Sequence, residues 1–387
     1  MGAAVTNDPT KARFDYDPTT LAPRGLLIEG SAINYMLYSA ALDPHTPIRM
    51  RTISTASITD PEGTTNKAQI IAANGETGFH GRYQTTTAGT NTTITISIFA
   101  KKNGYKHLFL SSFSTNTAGV RFDLDDGSTS NTGGTGFVSA SATSYGNGWW
   151  RCSMIVTVTA STSYTWSYVG IPSSGVTFSG GFGVTYTGED LDDKGIYCYG
   201  FQVEAGAGAS SYIPTAASQV TRNADYCQST VASGITNWLT SLTTSTYFVD
   251  FVPQTQRGAF ANAWRTTTST SQGYEIYCYD GTAGVNLTCT TKISASTNVE
   301  TTMVSGLSLN SRHKLAYSID ATSGLRSVNG STVSAANPVA LPTGTPSTFG
   351  VGSIGSGAGA SINAWIRSIK YYPTALTQAQ INALTAP

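Results

Sequence analysis

Charge is scarce in this 387-residue chain, where Asp, Glu, Lys and Arg together supply only 11% of the residues. The 22 basic side chains are matched by 22 acidic ones, so no net field exists to gather nucleic acid or anionic lipid at the surface. Residues 1–226 hold 14 Lys/Arg against 17 Asp/Glu and residues 227–387 hold 8 against 5, an imbalance too mild to call for a polyanionic partner. Nucleic acid is therefore not an expected partner. No apolar run approaches the roughly 18 residues that a membrane-spanning helix needs. The chain also does not open on a basic region followed by an apolar one, so neither export nor membrane insertion is expected. Synthesis and folding in a cytoplasm follow from that expectation. Walker, Rossmann, EF-hand and HExxH patterns are all missing, which removes support for nucleotide or zinc chemistry. The five cysteines, Cys152, Cys198, Cys227, Cys278 and Cys289, are odd in number and lack CxxC or Cys/His metal spacing. A chain of this size builds a core without staples, so they read as mostly free thiols.

What is abundant is Ser, Thr, 40 Gly and 20 Tyr, a mixture that favours strands and turns over helices. The length is too great for one ordinary sandwich and comfortable for two. Alternation in short runs is the dominant pattern, as in a sheet with one face buried. Ile94, Ile96 and Ile98 alternate with Thr95 and Ser97, and Val156 and Val158 alternate with Thr157 and Thr159. From Ile196 to Val203, alternation places Tyr197, Tyr199, Phe201 and Val203 on one face and Ile196 and Cys198 on the other, a central strand covered on both sides. After a possible short helix around Ile235 to Leu242, a second set of strands begins near Thr246. Tyr247, Val249 and Phe251 share a face there, as do Tyr274, Ile276 and Cys278, and His313, Leu315, Tyr317 and Ile319. Near the end the period changes. Thr377 and Gln380 have capping-box spacing and Leu376 and Ile381 occupy the staple positions, which predicts a short helix over Gln378 to Leu384. The expected fold class is all-β: two antiparallel β-sandwich (jelly-roll) domains, residues 1–226 and 227–387, with a short C-terminal helix.

Eight motifs in order refine this reading. They are Ala12 to Pro18 (ARFDYDP) with Leu21 to Glu29 (LAPRGLLIE), Asp60 to Thr64 (DPEGT), the alternating strand near Ile94, Val120 to Leu124 (VRFDL), Gly146 to Cys152 (GNGWWRC), Gly200 to Gly206 (GFQVEAG), Ser211 to Thr215 (SYIPT) and Val220 to Asp225 (VTRNAD). Together they resemble a region common in tail and other virion proteins of tailed bacteriophages, of the carbohydrate-binding-module sandwich kind. The later part is similar to laminin-G-like, concanavalin-A-type jelly rolls through His313 to Asp320 (HKLAYSID), Val328-Asn329-Gly330 and Trp365 to Leu384 (WIRSIKYYPTALTQAQINAL). Asn329-Gly330 suits a tight hairpin, which needs positive φ at both central residues. Where that family often carries an acidic pair before its final strand, this chain has Asn363-Ala364, so the carboxylates a calcium ion would use there are missing.

Candidate chemistry is sparse. Only four His are present, His45, His80, His107 and His313, and none lies in a nucleophile context such as GxSxG. A glycosidase would need two carboxylates across a cleft. Asp123, Asp125 and Asp126 surround a tight turn, and Glu189, Asp190, Asp192 and Asp193 form a loop before a strand. Hard oxygen ligands grouped in this way could hold calcium, the one cofactor considered, or form solvated acidic loops. For sugar recognition, Tyr164, Trp166 and Tyr168 share one strand face, a stacking platform if exposed and a core stripe if not. Polar Thr165 and Ser167 on the opposite face favour the core. Trp149 and its neighbour Trp150 point opposite ways, so one is expected to be buried and one peripheral. Trp264 and Arg265, followed by a Thr-rich stretch, read as an exposed loop.

The resemblance implies a non-enzymatic virion protein, made in the host cytoplasm, with other virion proteins and a host-surface glycan as partners. A tail fibre or adhesin is the first expectation, and a purely architectural decoration protein of capsid or tail is the alternative. A polysaccharide depolymerase is a third, more remote reading. Related virion proteins often form trimers, so a homo-oligomer is expected, although nothing in the sequence specifies its number.

Overall fold

The computed structural model describes residues 12–387 apart from 53, 88–91, 115, 160–161, 180–182, 192, 226, 255–260, 269–271, 281–285, 295–298, 334–340 and 353–361. The chain is all-β, and every strand ladder among the described residues is antiparallel. It divides into two compact units.

The first unit holds Asp17–Leu21 and Ala32–Arg222. Two six-stranded sheets build it. One runs, in spatial order, Thr129–Gly133, Ala118–Asp123, His107–Phe113, Ser163–Ile171, Gly81–Thr87 and Thr46–Ile48. The other runs Phe137–Ser144, Trp150–Thr157, Thr93–Asn103, Gly195–Ala205, Gln69–Ala72 and Ser54–Thr55. Their inner faces interdigitate as a sandwich core containing Ile94, Ile96, Ile98, Leu108, Leu110, Val156, Trp166 and Phe201. A second cluster, with Phe99, Trp149, Tyr199 and Tyr212, covers the outside of the sheet that carries Phe99.

The Gly195–Ala205 strand is buried on both sides, as alternation predicts, but its parity changes midway. Ile196 and Cys198 face the sandwich core, and then Phe201 and Val203 do, while Tyr197 and Tyr199 join the outer cluster. The cause is a register irregularity between Tyr199 and Gln202, where Gly200 sits at φ 66°. An extra residue in a bulge reverses which side chains point inward, and period-two counting does not anticipate it.

The second unit holds Ala22–Ser31 and Asn223–Pro387, together with the strand Phe14–Tyr16. Its seven-stranded sheet runs Phe14–Tyr16, Pro23–Ile28, Ala364–Tyr372, Ser245–Pro253, His313–Ile319, Gly324–Val328 and Ser331–Val333. The facing six-stranded sheet runs Cys227–Thr230, Pro346–Gly352, Ala261–Thr268, Gly273–Asp280, Asn286–Ser294 and Val299–Ser308. Tyr247, Val249, Phe251, Trp264, Ile276, Leu315 and Tyr317 fill the space between them.

The division expected at 226/227 is thus incomplete. The first two strands belong to the second unit, where Leu26, Leu27 and Ile28 pair with Ile366, Trp365 and Ala364. Arg13 fixes this arrangement with ion pairs to Glu29 (2.8 Å) and to Asp225, and the Asp225 N–H donates to the Glu29 carbonyl at 2.8 Å. The second unit is therefore built from both ends of the chain, with Ala32–Arg222 inserted between Ser31 and Asn223. Long-range pairing of this sort leaves no local signature in sequence.

Other local expectations stand. Asn329 and Gly330 take φ 48° and 83° in the tight turn that pairs Val328 with Ser331. The terminal helix spans Gln378–Thr385 with a complete capping box between Thr377 and Gln380, and Leu376 and Ile381 pack with Phe248 and Ala316. The possible helix near Ile235 is a single 3-10 turn, Ile235–Asn237. The thiol reading needs correction at one pair: Cys278 and Cys289 face each other across neighbouring strands and form a disulfide, while Cys152, Cys198 and Cys227 are free. The two lie eleven positions apart in sequence. Only the hairpin brings them together, so counting cysteines could not reveal the bond.

Candidate functional site

The aromatic candidates come first. Tyr164, Trp166 and Tyr168 are fully buried in the first core, Tyr164 and Trp166 stacked with centroids 5.3 Å apart. Their polar atoms are engaged internally: Trp166 Nε1 donates to Thr86 Oγ1 and Tyr164 Oη accepts from Thr159 N–H. The stripe is core and not a platform, since burying each large ring is favourable by about 1.5–3 kcal/mol. Trp149 is buried in the outer cluster and donates to the Thr59 carbonyl at 2.9 Å, while Trp150 is half-buried and donates to the Leu124 carbonyl.

Trp264 corrects the sequence reading most sharply. It lies in the strand Ala261–Thr268, not in a loop, and is 0% exposed with its ring stacked 4.3 Å from Tyr247. A register shift between Asn262 and Trp264 turns the indole inward. Arg265 is partly exposed and pairs with Glu275 at 3.5 Å. Of these residues only Trp150 and Arg265 keep appreciable surface exposure.

The acidic candidates are engaged with cations and turn backbone. Asp123 binds Lys106 Nζ at 2.7 Å and His107 Nε2 at 3.3 Å, and its other oxygen accepts from Asp125 N–H. Burial works to raise the Asp123 carboxyl, but the hydrogen bonds from Lys106 and Asp125 and the adjacent cations outweigh it and hold the group below its ordinary range. Asp125 pairs with Lys102, and Asp126 caps Ser128 N–H at 2.8 Å. Glu189 lies 3.6 Å from Lys194 and Asp190 2.8 Å from Arg51, while Asp192 falls outside the described residues. Asp193 is exposed and precedes the Gly195–Ala205 strand. Among the described residues no three His, Cys, Asp or Glu side chains converge as a metal site. Asn363 does not substitute for a calcium ligand either, because its Oδ1 accepts from the buried Gly30 N–H at 2.7 Å.

All four imidazoles serve packing. His45 accepts from Tyr168 Oη (3.1 Å) and donates to the Leu37 carbonyl (2.9 Å). His80 binds the Gly78 carbonyl and stacks on Tyr186 at 4.2 Å. His313 spans the Ser308 carbonyl and the Asn329 amide. His107 contacts the Asp123 carboxylate through Nε2 and has no hydrogen-bond partner at Nδ1 among the described residues, so no described nucleophile completes a triad there.

The motifs behind the virion-protein resemblance also act internally. In GFQVEAG and SYIPT, Gln202 Oε1 accepts from Ile213 N–H (2.7 Å) and Glu204 accepts from both the N–H and the hydroxyl of Ser210. Thr215 Oγ1 donates to the Met36 carbonyl and Ser39 pairs with Tyr212 Oη. Asp60 of DPEGT accepts from the backbone of Glu62 and Thr64. These residues clasp the chain around its core and do not line a site.

The exposed aromatics lie elsewhere. Phe14 and Tyr16 are 65% and 45% exposed on an edge strand. Trp238, just after the 3-10 turn, is 40% exposed and meets Phe349 and Tyr371 edge to face at 5.2 and 6.0 Å. Sequence reasoning passed over Trp238. A lone large aromatic in a Ser/Thr-rich stretch without alternation was the available signal, because such stretches run over the surface.

No protein-family model matches the sequence, and no curated protein matches it. Among solved structures the fold is similar to a native heptameric SAP-like pentraxin from Limulus polyphemus, with 15% identity, 37% of this chain and 70% of that chain covered, and a TM-score of 0.32. The CBM40 of Ruminococcus gnavus IT-sialidase bound to α2,3 sialyllactose is similar at 11% identity, over 38% of this chain and 85% of that one, with a TM-score of 0.33. The NanB sialidase from Streptococcus pneumoniae gives 11% identity, 41% and 26% coverage, and 0.34. Likenesses this partial do not bear on what the chain does.

Proposed function

We propose that the protein is a non-enzymatic virion component of a tailed phage, of the tail-fibre or adhesin type, whose rigid sandwiches contact glycans on the host surface. The observation that carries this reading is how the polar chemistry is used: the imidazoles and the clustered carboxylates are committed to turns, ion pairs and packing. What stays outside is hydroxyl-rich sheet, such as the exposed Thr85–Thr165 and Thr87–Ser163 pairs, with a few exposed rings. Such a surface is equipped to bind and poorly equipped to break bonds. The ordered virion-protein motifs supply the phage context. Binding of the purified protein to host cells and to a glycan array tests the reading. Retention that depends on host glycans supports it, and absence of binding to both removes it.

A decoration role has one specific observation in its favour. The edge strand Phe137–Ser144 pairs on one side only, carries no charge or proline, and leaves Val138 53% exposed. Uncharged open edges are the places where sheets add further strands. Locating the chain in intact particles separates the readings: a copy enclosed among capsid subunits favours decoration, and a distal copy favours the adhesin.

A further inference from the structure

Trp238 has three properties that together define a ligand surface. The first is rigidity. Leu239 N–H and Trp238 N–H both donate to the Ile235 carbonyl, at 2.9 and 3.2 Å, and Ile235, Leu239 and Leu242 are buried in the second core. Beneath the indole, Tyr371 Oη is locked at 3.0 Å to both the N–H and the carbonyl of Ser241, and Tyr371 and Phe349 lean on the core rings Tyr247 and Trp264. A ring held this way loses little conformational freedom when a ligand covers it.

The second property is exposure of a large apolar ring whose burial would ordinarily be favourable. The indole is left 40% accessible although Leu239, its immediate neighbour, is fully buried. The third is the absence of charge. No residue from Cys227 through Val249 is charged, nor is any in the strand Pro346–Gly352. Exposed Thr236, Asn237 and Thr240 surround the ring in sequence with hydroxyl and amide groups. In the neighbouring strands Arg265 pairs with Glu275 and Lys370 lies over the Phe248 ring at 5.4 Å, while Arg367, on the strand that carries Tyr371, is exposed.

We propose that Trp238, braced by Phe349 and Tyr371, is a stacking site for a neutral saccharide of the host surface. The apolar face of a pyranose ring matches an indole, and its hydroxyls match uncharged donors and acceptors at the rim. The segments that carry Trp238 and Phe349 hold no positive partner for an anionic sugar, which sets the ligand class. This rests on the glycan-contacting reading above and adds where and what the protein binds.

The test is a glycan array carrying neutral and acidic saccharides, probed with the full chain, Trp238→Ala and Trp238→Phe, with thermal unfolding as a check on folding. The wild type binds neutral glycans, W238A weakens binding by about tenfold or more, as expected of a stacked aromatic anchor, and W238F retains part of it. Unchanged unfolding in W238A assigns the loss to the site. Neutral-glycan binding that W238A leaves intact overturns the site while leaving the glycan reading in place. Binding confined to acidic glycans overturns the ligand class, and a wild type that binds no glycan removes both.

Discussion

His45 shows how a single buried residue carries a pH dependence. Burial above all, with the Arg82 cation adding to it, pushes the imidazole down to about 4 despite the raising effect of the Leu37 carbonyl. The unfolded chain takes up a proton near pH 6.5 that the folded chain refuses, so stability falls as pH drops from about 6.5 toward 4. The full span is about 3 kcal/mol. His80 and His107, whose values burial also lowers, act in the same direction. Urea midpoints should fall between pH 7 and pH 5, and His45→Gln should flatten that fall. Equal pH dependence in wild type and variant would show that His45 is not responsible. The lack of a nucleophile motif beside any histidine was readable in sequence, but the partners each imidazole packs against were not. Trp264 was not legible, because a bulge at Asn262/Trp264 decides which way it points, and no count of alternation contains the bulge.

At the scale of strands and turns, two devices set geometry that composition leaves open. Gly200 occupies φ 66°, and a Cβ there would lie 3.0 Å from Phe99 and 3.2 Å from Tyr212. Gly200→Ala should therefore cost about 1–3 kcal/mol through backbone strain and crowding, read as a lowered unfolding midpoint of the first unit. A neutral outcome would mean that the bulge is not fixed by this residue. The second device is the Cys278–Cys289 bond, closing a hairpin across Gly273–Asp280 and Asn286–Ser294. Thiol titration should find one reactive group in the native protein, Cys227, and three after denaturation without reductant. Five thiols under those conditions would exclude the bond. Strand content, the Asn329-Gly330 turn and the capped helix were legible because each depends on neighbours in sequence. The disulfide depends on which strands pair.

For the whole molecule, the chain's route matters most. The second unit takes strands from both ends, joined by Arg13 to Glu29 and Asp225, and the intervening segment begins and ends on the paired strands Ala32–Asn34 and Val220–Arg222. Ser31 and Asn223 are thus close enough for a short linker. Excising 32–222 should leave a folded second unit with a cooperative transition, whereas removing residues 12–31 should destabilise that unit by stripping two strands from its sheet. Failure of the first variant alone to fold would contradict the nested arrangement. The sequence signalled two sandwiches but not the nesting, because residues 26–28 find partners more than 330 positions away.

The central claim is that these sandwiches hold surface glycans without cleaving them. Its most direct measurement is incubation of the full chain with purified host polysaccharide, following co-sedimentation and polymer size in the same sample. The expected result is retention of protein on a polymer whose size distribution does not change over time. Progressive shortening of the polymer, abolished by replacing one carboxylate or imidazole, would contradict it.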